Sequence, residues 1–207
     1  MSKSEKFWDR SAKEYETKEI KWEKIYNKAV ENTKKYLNSN HILLDYACGA
    51  GVITAQIASC VKETLAIDIS SKMLDVAKRM VDEHKIKNVT FLKTTIFDER
   101  YEKESFDVIT AFNILHLLED VQQVIGKINE LLKLDGLFIS ETPCLRERGS
   151  FVGWSLKFLS KLKIVPYVNS LKFSDIENLI KEGNFQIIEK EDLDQKQTNY
   201  FIVAKKQ

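Results

Sequence analysis

The chain commits itself to a fold between His41 and Asp68. The apolar run Ile42-Leu43-Leu44 ends in an acid, Asp45, and passes into a G-x-G turn at Gly49 and Gly51. An apolar helical stretch, 52–61, begins there. A second apolar run, Thr64–Asp68, ends in another acid. Strand, glycine turn, helix and strand in that order form a right-handed crossover in a parallel sheet. Ligands of such open sheets sit beyond the carboxyl ends of the strands, where strand order reverses. Glycines there permit positive φ and leave no Cβ in the path of a ligand approaching the backbone.

The same alternation continues downstream. Strands are expected at 42–47, 64–68, 88–93, 106–112 and 137–141, with helices between them. Ser70 or Ser71 caps a helix whose apolar face is Met73, Ala77, Met80, Val81 and His84. Asp120 caps a helix carrying Val121, Val124, Ile125, Ile128, Leu131 and Leu132, which Asp135-Gly136 should stop. Strands this continuously apolar belong to a sheet covered on both faces. A capping box, Ser174 with Glu177, opens a last helix that Gly183 ends. Two late strands, 185–189 and 200–204, are joined only by a polar segment, so they must pair antiparallel. Before the first strand, Lys3 to Leu37 reads as helix, with Trp22, Ile25, Tyr26, Ala29 and Val30 recurring at helical steps. Its leading aromatics, Phe7, Trp8 and Tyr15, are either a flap over the crevice or rings that dock the helix on the sheet.

Bulk numbers narrow the partners. The 207 residues suit one α/β domain with an appended lid, spanning 1–207. Within it, 1–40 is a helical cap, 41–143 the core, 144–172 an insert, and 173–207 the closing helix and hairpin. Net charge is +1, which draws the chain toward neither nucleic acid nor an anionic membrane. No apolar run approaches a membrane span, so stable membrane insertion is not expected. The charged N-terminus lacks a signal peptide's apolar middle. Cys48, Cys60 and Cys144 have no disulfide or zinc spacing, so no metal is expected and a cytoplasmic location is.

The opening motif selects its ligand. Asp68 stands where it can accept hydrogen bonds from two ribose hydroxyls. A dinucleotide site wants G-x-G-x-x-G with a pyrophosphate on the helix N-terminus. Here Thr54 occupies the third glycine position, and the carboxylate of Asp45 would repel a pyrophosphate. That acid suits a cationic ligand bearing an ammonium and a sulfonium; capping the helix that starts at Val52 or bracing the loop is the alternative, and is compatible with ligand contact.

D-x-x-x-G-x-G at Asp45–Gly51, the acid at Asp68, and SFDVITAFNILHLLED at Ser105–Asp120 resemble the motifs of class I S-adenosylmethionine-dependent methyltransferases, the small-molecule branch most closely. The resemblance spans about residues 7–143 and, more loosely, 174–205. It implies a Rossmann-like, doubly wound α/β fold: a seven-stranded, mostly parallel sheet in the order 3-2-1-4-5-7-6, the last strand antiparallel, under the N-terminal helical flap. It implies S-adenosyl-L-methionine as cofactor. Asp45 and the backbone of Ala47, Gly49 and Gly51 would hold the methionine end. Asp68 would bind the ribose, Ile69 would pack on the adenine with Ile96 and Phe97 lining its other face, and Met73 would belong to the cofactor site. Thr95 or Asp98 would read the adenine amino group, Asn113 would border the donor methyl, and Tyr15 would contact the donor. The D/N-P-P-Y/F motif of nucleic-acid amino methylation is absent, because Ile114 and Leu115 follow Asn113. No nucleic-acid partner is therefore expected.

The resulting expectation is methyl transfer to a small, partly apolar acceptor by a monomer or homodimer. Methyl transfer is an in-line displacement in which positioning supplies much of the rate. A base is needed only where the nucleophile must lose a proton. His116, just past the fourth strand, is the candidate base, against a packing role for the same ring. His41 and His84 read as structural. Cys48 reads as a loop filler, having no basic neighbour to activate it. In the insert, Phe151, Trp154, Phe158 and Leu162 share a helical face among Arg146, Arg148, Lys157, Lys161 and Lys163. It is expected to form a lid over the acceptor; an interfacial helix and a dimer contact are the alternatives. Two other functions compete: a silent donor-binding protein and a nicotinamide-dependent oxidoreductase.

Overall fold

Each central strand buries both of its faces, which forces helices onto both sides of the sheet. In the computed structural model, β1 (Ile42–Tyr46) lies at the middle, parallel to β2 (Glu63–Asp68) and β4 (Phe106–Phe112). The structure describes residues 2–17, 23–144, 146–147, 167–193 and 199–207. β3 (Val89–Lys93) flanks β2, and β5 (Leu132–Pro143) flanks β4. β7 (Asn199–Lys206) runs antiparallel to both β5 and β6 (Phe185–Asp192). The seven strands stand in the order 3-2-1-4-5-7-6, as expected. Strand order reverses between β1 and β4, so the crevice opens beyond Tyr46 and Phe112.

On one face Leu44, Ile109 and Phe138 pack against α5 (Val121–Leu131) and α6 (Phe173–Glu182) through Ile125, Ile128, Ile176 and Ile180. On the other, Leu43, Val108, Ile139 and Phe201 pack against α2 (Glu23–Lys34) and α3 (Val52–Ile57) through Ala29, Val30, Ile53 and Ile57. Each such aliphatic side chain contributes about 1.5–3 kcal/mol by leaving water. Polar contacts fix α2 against β6: Lys28 and Asn32 bind Glu191, and the Tyr36 hydroxyl donates to Glu189. α1 (Lys3–Thr17) lies on α4 (Ser71–Glu83), with Ala12 and Met73 in a small cluster of their own.

Several local expectations change. The N-terminal helix is two helices, α1 and α2, and residues 18–22, including Trp22, lie outside the described residues. So do the Ile25 side chain, Arg148 and the insert's Phe151, Trp154, Phe158, Leu162, Lys157, Lys161 and Lys163. α5 stops at Leu131 rather than at Asp135-Gly136. Leu132 takes extended φ/ψ and is fully buried in the core, which draws the chain straight into β5. Asp135, at φ 63°, and Gly136 then form an irregularity inside that strand. α6 begins one residue earlier than expected. Its cap is the Asp175 carboxylate, accepting from the Lys172 N–H, while Glu177 accepts from the Tyr200 hydroxyl at 2.6 Å. His84 is not on the buried face of α4; it caps the helix end and is exposed.

Candidate active site

The glycine turn is held open by its own backbone. Ala47, Gly49 and Gly51 all have positive φ, at 58°, 53° and 75°. Cys48 N–H donates to the Ile67 carbonyl, and Gly51 N–H to the Cys48 carbonyl. At Ala47, and at Asn113 past β4 (φ 56°), a side-chain-bearing residue sits in the left-handed region. Strain of this kind gathers at binding sites, and both residues line the same crevice.

That crevice is a cavity of about 310 Å³. Tyr15, Asp45, Ala47, Gly49, Asp68 and Ile69 line it, together with Met73, Thr95 and Asn113. At Gly49 the place a Cβ would occupy is open, with nothing within 4 Å. Asp68 ties the floor together, its carboxylate accepting from Gly49 N–H at 3.0 Å and Ser70 N–H at 2.8 Å. Burial raises its pKa while those N–H groups oppose the rise. A carboxylate has about four lone-pair sites, so Asp68 keeps acceptor capacity for a ligand's hydroxyls.

Asp45 is buried at 2% exposure and accepts from the Thr54 and Thr110 hydroxyls. Burial pushes its carboxyl up to about 6 against those donors. It therefore braces the loop and also lines the cavity. Thr54, standing where a dinucleotide site would have its third glycine, spends its hydroxyl on that brace.

Four expected residues fall elsewhere. Gly51 is off the lining: a Cβ on it would come within 2.8 Å of the Ala77 Cβ, so it serves the contact between α3 and α4. Ile96 is fully buried in the main core, and Phe97 is 43% exposed outside the lining. His116 lies in a short 3-10 turn, Leu115–Leu117, off the lining, with its Nδ1 buried and unpartnered among the described residues. Burial lowers its pKa to about 4, leaving a weak base. Asp98 is forked by Arg100 and takes the Thr94 hydroxyl, which leaves Thr94 and Thr95 to face the cavity. Cys48 lines the cavity, but burial pushes the pKa of its thiol well up, which argues against a nucleophile.

Other residues were not singled out from sequence. Tyr26, Tyr46 and Phe112 add aromatic walls, Ile114, Leu117 and Leu118 add apolar ones, and α1 contributes Ser4 beside the expected Trp8 and Tyr15. The Asp9 carboxylate latches α1 to the start of α4, accepting from the Ser70 hydroxyl at 2.6 Å and from Lys72 N–H at 3.3 Å. Glu5 pairs with Lys93 at 2.6 Å. The signal that could have found Tyr26 was its helical spacing with Ala29 and Val30, read only as packing.

Comparison with known proteins agrees with this geometry. The family profile described as "Methyltransferase domain" matches residues 37–193. An uncharacterized methyltransferase, YcgJ of Bacillus subtilis (strain 168), is 30% identical over 101 residues, 49% of this chain and 40% of that protein. The crystal structure of YcgJ superposes with a TM-score of 0.71 at 18% identity, covering 87% of this chain and 99% of that one. A ubiquinone biosynthesis O-methyltransferase of Rickettsia bellii (strain OSU 85-389) is 26% identical over 200 residues, 87% of this chain and 82% of that protein. The geranyl diphosphate C-methyltransferase of Streptomyces coelicolor A3(2), solved with S-adenosyl-L-homocysteine, has a TM-score of 0.69 at 13% identity, covering 86% and 78%. At that identity the likeness is one of fold. The chain spans 40% to 45% of the length of some curated relatives and 82% of others. Among the described residues no helix is long and apolar enough to cross a membrane. A glycine turn open at Gly49, an acid at the end of β2 and a family match over most of the chain place this protein among the class I S-adenosylmethionine-dependent methyltransferases.

Proposed function

We propose that the protein transfers a methyl group from S-adenosyl-L-methionine to a small, partly apolar acceptor in the cytoplasm, as a monomer or homodimer and without a nucleic-acid partner. The observation that carries this reading is the cavity itself: a carboxylate and glycine floor at one end, and walls of Trp8, Tyr15, Tyr26, Tyr46 and Phe112. The donor, when bound, supplies an electrophilic methyl on a sulfonium. Asp68 would hold the ribose hydroxyls, with Ile69 and Met73 against the adenine and Thr95 near its amino group. Asp45, Ala47 and Gly49 would take the methionine end, and Asn113 would border the methyl. α1 would exclude water from the reacting groups, with Tyr15 against the donor. The 144–172 insert, mostly outside the described residues, is assigned as the acceptor lid. The test is transfer of label from methyl-labelled S-adenosylmethionine to a panel of hydroxylated aromatic and isoprenoid acceptors. No transfer to any of them, with S-adenosylhomocysteine still binding, would leave a silent donor-binding protein.

The latch makes a separate prediction. Asp9→Ala removes two hydrogen bonds to the start of α4, of about 0.5–1.5 kcal/mol each. The Kd for S-adenosylhomocysteine should rise about tenfold with little change in melting temperature. Unchanged affinity would mean that α1 docks without help from Asp9.

A further inference from the structure

Glu141, near the crevice end of β5, carries a carboxyl that nothing above uses. In register it stands between Phe112 of β4 and Phe201 of β7. Residues directly opposite on adjacent strands share a face, so Glu141 lies beside Phe112, which lines the cavity. It is 1% exposed, and its Oε1 has no hydrogen-bond partner among the described residues. Tyr26, lining the cavity from α2, is near enough for the Glu141 charge to help raise its phenol. Cys144, just past the end of β5, feels the same charge. Among the described residues, Lys28 of α2 pairs with Glu191 of β6, α3 carries no ionisable group, and Glu147, Asp175 and Asp192 share with Glu141 the field on Cys144. Buried polar atoms are nearly always partnered, and an exception calls for a reason such as catalysis. Ser140 Oγ and Thr142 Oγ1 on either side of it are also unpartnered among the described residues, but those are neutral hydroxyls, and a buried carboxyl without a partner is the costlier exception. Glu141, like His116, is not itself on the lining, but it stands directly behind two residues that are, Phe112 and Tyr26, so a group from the cavity would reach it between those two rings.

We propose that Glu141 is the catalytic base on the acceptor side, accepting the hydrogen bond of an acceptor hydroxyl that lies against Tyr26 and Phe112. This makes the reaction an O-methylation, and it rests on the methyl-transfer reading above. The acceptor O–H bond breaks and its proton passes to the Glu141 carboxylate. The oxygen's electron pair forms the bond to the methyl carbon. The carbon–sulfur bond breaks, and its pair leaves with sulfur as a neutral thioether. Burial pushes the Glu141 carboxyl up to about 8. The ionised, basic form therefore grows as pH rises through that value.

The test compares the wild type with Glu141→Gln, using 3,4-dihydroxybenzoate as probe acceptor and methyl-labelled donor. The wild type should methylate the probe with a kcat that climbs from about pH 6.5 to about pH 8. Glu141→Gln should lose about 100-fold in kcat, lose that climb, and keep its affinity for S-adenosylhomocysteine. A second readout needs no turnover. A carboxyl with a raised folded-state pKa contributes stability that is full at acid pH and lost as pH rises through that pKa. Asp45, at about 6, has titrated in both states above about pH 7, and His116, lowered from 6.5 to about 4, adds stability as its unfolded ring deprotonates, which is opposite in sign to the fall from Glu141. The fall in melting temperature of the ligand-free wild type between about pH 6.5 and about pH 8 should thus belong to Glu141 and flatten in the variant. If the probe is methylated and Glu141→Gln keeps both kcat and the climb, Glu141 is not the base, and the methyl-transfer reading stands. If the wild type leaves the probe unmethylated, the hydroxyl-acceptor assignment fails, while binding of S-adenosylhomocysteine still reports on the donor site. Should the glutamine variant not fold, Glu141→Asp keeps a carboxylate and should keep the climb at reduced kcat. Its loss would overturn the role.

Discussion

Asp68→Ala should abolish measurable binding of S-adenosylhomocysteine. The carboxylate already holds Gly49 N–H and Ser70 N–H, and its remaining lone pairs are the ones proposed to accept the ribose hydroxyls. A hydrogen bond to a charged group is worth about 1.5–3 kcal/mol. Losing two of them costs about 3–6 kcal/mol, or roughly 10²- to 10⁴-fold in Kd. The turn it anchors would also loosen, since Gly49 N–H would lose its acceptor. Asp68→Asn keeps one acceptor oxygen and should fall between the two. Isothermal titration with S-adenosylhomocysteine decides the matter, and a cooperative melt confirms that each variant is folded. An unchanged Kd for Asp68→Ala would remove the donor site from this end of the sheet.

What could be read from sequence was whatever one stretch determines by itself. β4 occupies Phe106–Phe112 as expected, because an unbroken apolar run bounded by polar residues has one way to be buried. Ser70 and Asp120 cap their helices as expected, because a cap needs only its own side chain and an N–H three residues on. The expectations that changed depended on distant partners. Leu132 leaves the helix because the core accepts it, and a reading of Asp135-Gly136 as a helix stop cannot see that. Glu177 has capping-box spacing, but its acceptor goes to Tyr200, a strand away. The site divides in the same way. Asp45, Gly49 and Asp68 are legible because one motif carries them. Tyr26 and Tyr46 reach the crevice, and Asp9 reaches Ser70, only when α1, α2 and the sheet are assembled. Ile96 and Phe97 follow β3 in the expected place, yet Ile96 turns into the core and Phe97 toward solvent. Glu141 carries a weaker signal, an acid soon after the apolar run Leu137-Phe138-Ile139.

The two glycines of the turn should fail differently, and this separates binding from folding within one motif. Gly51→Ala places a methyl where the Ala77 Cβ stands 2.8 Å away, in a backbone with φ 75°. The left-handed conformation costs a non-glycine residue about 1–2 kcal/mol. Overpacking a well-filled contact adds about 1–3 kcal/mol. Together these lower the melting temperature by roughly 5–20 °C in a chain of this size. Gly49→Ala bears the conformational cost alone, because the space beside it is open. Its methyl would stand in the cavity, where the donor's methionine end is assigned. Gly49→Ala should therefore keep most of its stability and lose donor affinity. Gly51→Ala should lose stability, and whatever remains folded should bind the donor nearly as the wild type does. Thermal melts and titrations on both variants give four numbers, and the prediction is their crossed pattern. Equal melting temperatures for the two would mean that α3 and α4 separate freely, and that the close approach at Ala77 does not hold the turn in place.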